Sequence, residues 1–130
     1  MALLAALPCA NVLAESAWPN RPIRFIVPAP AGGASDMIAR TVAESIRHEM
    51  KQVVIIENKP GAGGIISVDT MLSAPRDGYT FVLSPNSLAI ENAYSYKFRF
   101  DPFKDLTPVA EVASVPLVLV ADPHLKVSNI

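Results

Sequence analysis

The amino-acid sequence predicts an α/β fold, with a mostly parallel sheet and flanking helices. Short apolar runs alternate with segments of helical periodicity, and a loop rich in glycine, proline or serine follows each run. This order is typical of βαβ units, whose right-handed crossovers bring the loops to one edge of the sheet. In open α/β sheets that edge, at the carboxyl ends of the strands, is where ligands bind.

The first unit of the repeat combines a strand at residues 23–27 with a helix at about 35–50. The strand sequence IRFIV is apolar and rich in β-branched residues, and a loop at 28–36 follows it. Ser35 and Asp36 suit the start of the helix, because a side-chain oxygen there can accept an N–H group that lacks a helical partner. The helix is predicted from one apolar stripe, which comprises Ile38, Val42, Ile46 and Met50.

The next two units repeat this order. A second strand is predicted at residues 53–57, followed by a glycine-rich loop at 58–64 and a helix at 65–73. A turn at 74–78 contains proline and Asp-Gly, each of which stops a helix. It leads to a third predicted strand at 79–83.

The remaining residues contain a third loop at 84–87 and a predicted short helix at 88–96. A turn-rich connection at 101–105 precedes two more apolar runs, at 109–112 and 117–121.

Composition and charge exclude several classes of protein. The 130 residues include 11 lysines and arginines against 12 aspartates and glutamates, so a basic nucleic-acid-binding face is not expected. The hydrophobic fraction of 51% is too high for intrinsic disorder. The 12 prolines and 6 glycines have no fixed period, which excludes collagen. The length fits one small domain or part of a larger one.

Residues 1–14, MALLAALPCANVLA, are uncharged and almost entirely apolar. The segment is too short to cross a bilayer. It has the features of the end of a secretory signal peptide, with Val12 and Ala14 as small residues before the cleavage site. No lysine or arginine precedes the apolar run, so either the true start lies upstream or the segment is not a signal. We expect a signal peptide at 1–14 and the mature chain at 15–130.

The residues that usually carry catalysis or bind metals are sparse. Cys9 is the only cysteine and lies in the expected signal, so the mature chain would have no disulfide, thiolate metal site or cysteine nucleophile. His48 and His124 are isolated, and His48 is predicted to be exposed on the polar side of the first helix. A dinucleotide-binding fingerprint fails at Ile66, where glycine or alanine is required. We therefore predict no catalytic residue, no metal and no cofactor.

The glycine loops have the chemistry of an anion site. Gly32 and Gly33 precede a helix, so they could present free backbone N–H groups beside the positive end of the helix dipole. The loop with Gly61, Gly63 and Gly64 offers the same arrangement before the second helix. The alternative is that these glycines only turn the chain, and the sequence leaves both interpretations open.

The third loop adds the polar side chains of Ser84, Asn86 and Ser87 to the same predicted edge. Lys59 is the only cation in the three loops. An anion at this edge would therefore be held mainly by neutral donors.

Ordered motifs resemble those of one known family. They are WPNRPIRFIVP at 18–28, PAPAGGASD at 28–36, ENKPGAGG at 57–64, DGYT at 77–80 and DPFKDLTPV at 101–109. The second motif has one residue more between its first proline and its glycines than the family pattern. Together the motifs resemble the Bug family, the periplasmic solute-binding receptors of tripartite tricarboxylate transporters.

The resemblance implies a two-lobed, type II periplasmic-binding architecture that closes on its ligand. It implies a receptor, not an enzyme, that passes a small organic acid to the membrane permease subunits of the transporter. In the family, backbone N–H groups and ordered waters of the first lobe hold a ligand carboxylate. Asp36 would cap the helix or hold a water, because like charges repel. Carried over by matching position, the ligand-binding residues are Ala31, Gly32, Gly33, Ser35, Asp36, Ser84, Asn86 and Ser87, and Gly61, Gly63 and Gly64 are structural residues of their loop.

The chain is much shorter than members of that family. It ends near the point where the family crosses to the second lobe, so residues 15–130 are expected to form an incomplete first lobe, from a truncated gene product or a partial sequence. Such a chain alone is expected to bind ligand weakly or not at all. The alternatives are a fragment or interaction module without a ligand, and a small-acid enzyme, although no histidine or cysteine lies in the three loops.

Overall fold

The computed structural model describes most of the chain in two compact units, Met1–Ser84 and Pro85–Ile130. The expected signal peptide at 1–14 lies outside the described residues. In the part of the chain that is described, no helix has the length and apolar character needed to cross a membrane. The described residues are 17–88, 97–116, 118–120 and 124.

The first unit is built on a three-stranded parallel sheet with the strand order β2–β1–β3. The strands are β1 (Ile23–Val27), β2 (Val54–Asn58) and β3 (Thr80–Val82). Four of the five residues of β1 are buried, as expected for an apolar central strand in a parallel sheet. In register, Ile26 of β1 lies opposite Glu57 of β2. The predicted parallel α/β fold is confirmed.

Two α-helices connect the strands, α1 (Ala34–Met50) and α2 (Ile65–Leu72). Helix α1 packs against β1 and β2, and α2 packs against β1 and β3. Since the chain passes to opposite sides of β1 through the two helices, right-handed crossovers place them on opposite faces of the sheet. A short 3-10 turn, Ala62–Gly64, leads into α2.

Apolar side chains fill the space between α1 and the sheet. Phe25 and Tyr79 are buried there, and the rings of Phe25 and Phe81 meet edge to face with centroids 6.0 Å apart. Ile26 points to the other face of β1 and is fully buried, as is Val68 of α2. The cluster on the α1 side consists of the buried residues Ile23, Phe25 and Tyr79. The partly buried residues packed against it are Val42, Ile46, Val54, Ile56, Phe81 and Leu83.

The predicted apolar stripe of α1 is correct except at its end. Val42 and Ile46 pack against the core, as predicted. Met50 is 43% exposed, because it is the last residue of the helix, immediately before Lys51 adopts a left-handed conformation. His48 is exposed, as predicted.

The residues before β1 are held against the start of β3. The Arg21 guanidinium lies 4.0 Å from the centre of the Tyr79 ring and donates a hydrogen bond to Asp77 Oδ2 at 2.6 Å. The Tyr79 hydroxyl donates to Asn20 Oδ1 at 2.8 Å, and Trp18 packs on the same ring with centroids 6.1 Å apart. We call this group the aromatic clasp. It lies at the amino edge of the sheet, opposite the edge predicted to bind ligand.

The predicted element bounds are close to the observed ones. Strand β1 agrees at both ends, α1 begins one residue earlier than predicted, and β2 is displaced by one residue. Strand β3 is one residue shorter at each end, although the Leu83 N–H still donates to the Ile26 C=O at 2.9 Å. Of the helix predicted at 88–96, Leu88 ends a 3-10 turn, Asn86–Leu88, and the rest lies outside the described residues.

In the second unit, the described residues 97–116 and 118–120 form no strand or α-helix. The predicted turn at 101–105 is present, and Asp101 pairs there with Lys104 at 3.0 Å. The apolar side chains that follow are exposed, with Leu119 84% accessible to solvent.

Candidate functional site

The β1–α1 loop lies at the carboxyl edge of the sheet. Gly32 has a φ of +83°, a left-handed conformation that favours glycine. Gly33 is extended and is the N-cap of α1, so its C=O accepts the first helical bond, from the Met37 N–H at 3.0 Å. No side chain caps the helix. The prediction that Ser35 supplies an oxygen to a free N–H group is wrong, because a glycine N-cap leaves Ser35 inside the first turn.

Two amides predicted to be free are hydrogen-bonded within the loop. The Gly32 N–H donates to Asp36 Oδ2 at 2.9 Å, and the Gly33 N–H donates to the Pro30 C=O at 3.1 Å. The prediction of free N–H groups at these glycines is wrong, because the loop turns back on itself. The amides of the first helical turn have no acceptor within the helix. They belong to Ala34, Ser35 and Asp36.

Asp36 is buried in the first turn of α1, with only 2% of its surface exposed. Its Oδ2 accepts from the Gly32 N–H and from Arg40 Nε, both at 2.9 Å, and its Oδ1 accepts from Asn58 Nδ2 at 3.0 Å. These hydrogen bonds, the one from Arg40 above all, hold the pKa of the Asp36 carboxyl well below its usual range. The carboxylate is therefore ionised and accepts hydrogen bonds from its own loop, from its own helix and from Asn58 at the end of β2.

Asn58, the last residue of β2, joins the end of that strand to the β1–α1 loop. Its Nδ2 donates to Asp36 Oδ1 and to the Ala29 C=O, both at 3.0 Å. Asn58 is not predicted from the sequence as a site residue, because Asp36 lies 22 positions away and nothing local links the two. Arg40 is not predicted either, although the four-residue spacing from Asp36 on a predicted helix is a signal for an ion pair.

The β2–α2 loop is shaped by its backbone. The Gly64 N–H donates to the Gly61 C=O at 2.9 Å, which closes a tight turn before α2. The buried Ser67 hydroxyl donates to the Lys59 C=O at 2.8 Å and ties α2 to the start of the loop. All three glycines have positive φ, +121° at Gly61, +62° at Gly63 and +94° at Gly64.

The third predicted loop divides between the two units. Ser84 is half-buried and directly follows Leu83, whose N–H bonds to β1, so it lies at the same edge as the β1–α1 loop. Asn86 and Ser87 belong to the second unit, in its 3-10 turn. Their assignment to the site stays a prediction, as does the ligand contact predicted for Ala31, which is exposed in the β1–α1 loop.

The chemistry available at this edge is that of anion binding. Backbone N–H groups at the start of a helix of 17 residues stabilise a negative charge. The Arg40 guanidinium is paired with Asp36 and offsets its charge. Within the described residues, no group of three or more histidine, cysteine, aspartate or glutamate side chains is placed to hold a metal ion.

Comparison with known proteins identifies the class of protein to which this fold and edge belong. Residues 38–130 match the family described as the tripartite tricarboxylate transporter family receptor. The chain therefore belongs to this family, which is one of substrate-binding receptors and not of enzymes. The resemblance seen in the sequence motifs is confirmed.

Individual relatives extend this result. Protein BugT of Bordetella pertussis is 40% identical over 115 residues, which cover 87% of this chain and 35% of that protein. A UPF0065 protein of the same organism is 39% identical across 100% of this chain and 40% of its own length. The chain thus spans two-fifths or less of the length of these relatives.

Solved structures also match part of the chain. The periplasmic binding protein BugD is 43% identical, with a TM-score of 0.48, over 50% of this chain and 22% of that one. A protein of R. palustris, solved with adipate, is 36% identical, with a TM-score of 0.49, over 51% of this chain and 22% of that one.

Proposed function

We propose that this chain forms a carboxylate-binding part of a periplasmic receptor that serves a tripartite tricarboxylate transporter. One observation carries the proposal. The first turn of α1 lies at the carboxyl edge of the sheet, and its amides at Ala34, Ser35 and Asp36 have no acceptor in the helix. A ligand carboxylate would accept hydrogen bonds from these amides and be stabilised by the helix dipole.

The pairing of Asp36 supports binding of a ligand carboxylate by uncharged donors. Asp36 would repel a carboxylate if its charge faced the ligand, but its two oxygens accept from the Gly32 N–H, from Arg40 and from Asn58. In this proposal Gly32 and Gly33 shape the loop and do not donate. Ser35 contributes its N–H and hydroxyl, and Ser84 contributes from the neighbouring strand end.

The same proposal gives the chain a place in transport. The receptor captures a small di- or tricarboxylate in the periplasm and passes it to the permease subunits. Family membership supports this role. Because the chain spans only part of its relatives' length, we expect its own affinity to be weak, on the order of millimolar.

A titration of the isotope-labelled chain with adipate or citrate, followed by NMR, tests the proposal. We expect the amide signals of Ala34, Ser35 and Asp36 to move with ligand concentration. Adipamide, which has the same shape as adipate without its charges, is the control and should leave these signals unchanged. An absence of any shift with both acids at tens of millimolar would overturn the proposal.

A single substitution can remove one of the proposed N–H donors without disturbing the fold. Ala34→Pro removes one N–H at the first helical position, where proline is well tolerated. The preceding Gly33 has a ψ of 166°, which suits the residue before a proline. We expect the variant to keep its thermal unfolding midpoint and to bind adipate at least roughly threefold more weakly, since one hydrogen bond to a charged group is lost.

Ala34→Ser is the matched control for this substitution. It changes the side chain at the same position and keeps the N–H group. Unchanged affinity in Ala34→Ser and weakened affinity in Ala34→Pro would support the backbone donor, whereas equal affinity in both variants would contradict it.

A further inference from the structure

We infer that Asn58 is a positioning residue for the carboxylate site, holding the β1–α1 loop in the shape that presents the first turn of α1. The inference rests on the proposed function for its effect on ligand binding. Its structural part, the control of the loop by Asn58, stands on the geometry of the described residues alone.

The amide group of Asn58 bridges the two ends of the loop. An asparagine NH2 group has two N–H donors, and here one acceptor lies at each end of the loop. The Ala29 C=O is near the point where the chain leaves β1, and Asp36 Oδ1 is in the first turn of α1. The second oxygen of Asp36 accepts from Gly32, midway between them. One Asn–Asp pair therefore holds the loop at three points.

Asn58 stands on a rigid part of the molecule. It pairs in register with Val27, the last residue of β1, and the next N–H, of Lys59, donates to the Val27 C=O at 2.8 Å. Its side chain is thus anchored to a hydrogen-bonded strand and not to a loop. Groups that act on a binding site are most effective when such supports fix their position.

Loss of this amide has a defined consequence. Asp36 is buried, so removal of the donor to Oδ1 leaves a charged oxygen without one of its partners. The carboxylate can then replace the lost hydrogen bond by turning toward water. This movement releases the Gly32 N–H and brings negative charge to the first turn of α1. A ligand carboxylate would meet both a loosened loop and a repulsive charge.

Asn58→Ala tests the inference by two measurements on the full chain. We expect the affinity for adipate in the NMR titration to fall about tenfold, and amide hydrogen exchange at Gly32 to become about tenfold faster. Ser67→Ala is the control, because it removes a hydroxyl of α2 that donates to the neighbouring loop and does not touch Asp36. It should change neither quantity.

If Asn58→Ala does not fold, a second test swaps the amide and the carboxylate between positions 36 and 58. N58D alone places two carboxylates together and should expose Gly32 to exchange. D36N/N58D restores one amide and one carboxylate at the pair, and it should protect Gly32 better than the two single variants predict by addition. If the two residues acted independently, the effects of the single substitutions on hydrogen exchange at Gly32 would add in the double variant. Such additivity would contradict the inference.

The outcomes for the two proposals are distinct. If the unaltered chain binds neither adipate nor citrate, the proposed function fails, and exchange at Gly32 still decides whether Asn58 positions the loop. Unchanged exchange at Gly32 in Asn58→Ala overturns the inference. If the unaltered chain binds adipate and Asn58→Ala binds it equally well, the inference is also overturned.

Discussion

Gly32 and Gly61, two glycines near the carboxyl edge, differ in what surrounds them. Both have positive φ, which a side chain rarely adopts. Around Gly32, apart from its two neighbours in the chain, no atom lies within 4 Å of the place a Cβ would occupy. At Gly61 an added Cβ would lie 2.8 Å from Cδ1 of Ile66, closer than carbon atoms pack. Both glycines are therefore required for their backbone conformation, and at Gly61 the exposed end of the Ile66 side chain would also have to move aside.

We expect Gly61→Ala to lower the free energy of unfolding by about 2–3 kcal/mol, because a φ of 121° with a ψ of 158° is a conformation that essentially only glycine adopts. Gly32→Ala, the matched control, should cost only about 1 kcal/mol. Urea denaturation followed by circular dichroism measures both. A greater loss in Gly32→Ala than in Gly61→Ala would show that this account of the loops is wrong.

Asp36 illustrates how far the sequence allows the site to be predicted. An acid near a helix start is visible in the sequence, and so is the glycine loop before it. Its burial is not visible, because the partner that makes burial tolerable, Asn58, comes from a different strand. The hydrogen bond from Gly32 was likewise hidden, since it depends on how the loop folds back.

Strands β1 and β2 are joined by an ion pair as well as by their backbone. The Nε and Nη2 nitrogens of Arg24 both donate to Glu57, at 2.7 and 3.0 Å, in a bidentate arrangement. The hydrogen bond from Arg24 is the main cause of the lowered pKa of Glu57. The pKa of Glu57 is thus lower in the folded chain than in the unfolded chain. The pair therefore stabilises the fold fully at pH values above the unfolded pKa, and this stabilisation is lost as the pH falls through the folded pKa.

Glu57→Gln should lower the free energy of unfolding at pH 7 by up to about 1 kcal/mol, the usual limit for a partly exposed pair. The difference from the unaltered chain should narrow as the pH falls below about 4.5, the ordinary pKa of a glutamate, and vanish once the pH is below the lowered pKa of Glu57 in the folded chain. Urea midpoints across this range measure the effect.

Glu44→Gln is the control, since Glu44 forms a solvent-exposed pair with Arg47 on α1. It should change the urea midpoint less than Glu57→Gln does at each pH, because a solvent-exposed pair contributes little. A deficit in Glu57→Gln that does not narrow as the pH falls below about 4.5 would contradict the ionic origin of the effect.

The elements of the first unit differ in how well the sequence predicts their bounds. Strand β1 was predicted at both ends because prolines bound a mostly apolar run, of which four of five residues are buried. For β3 the apolar run YTFVL is longer than the observed strand. The Tyr79 C=O accepts from Arg24 and the Leu83 N–H donates to Ile26, so main-chain bonds continue at both ends of a strand that is assigned only three residues.

The whole molecule combines two units of different character. The first buries its apolar residues around a sheet, whereas the described end of the second exposes them, with Val118, Leu119 and Val120 each more than three-quarters accessible. These neighbouring side chains are uncharged and two of the three are β-branched. Contiguous apolar surface of this kind favours association between chains.

We expect the double substitution L119S/V120S to reduce the concentration-dependent association of the chain. Sedimentation velocity over a range of protein concentrations would show it as a smaller increase in the mean sedimentation coefficient. Ala113→Ser is the control, because it adds a hydroxyl in the same region without removing a large apolar side chain. Equal association in all three proteins would contradict this role of the exposed residues.

The aromatic clasp gives the protein an optical probe of its own. Trp18 is the only tryptophan in the chain, and its indole lies against the ring of Tyr79 at the start of β3. Its fluorescence therefore reports whether the segment before β1 is docked on β3, while circular dichroism reports the helices. Superimposable denaturation curves from the two signals would show that this segment stays docked until the helices unfold. An earlier fluorescence change would show that the docked segment is released first.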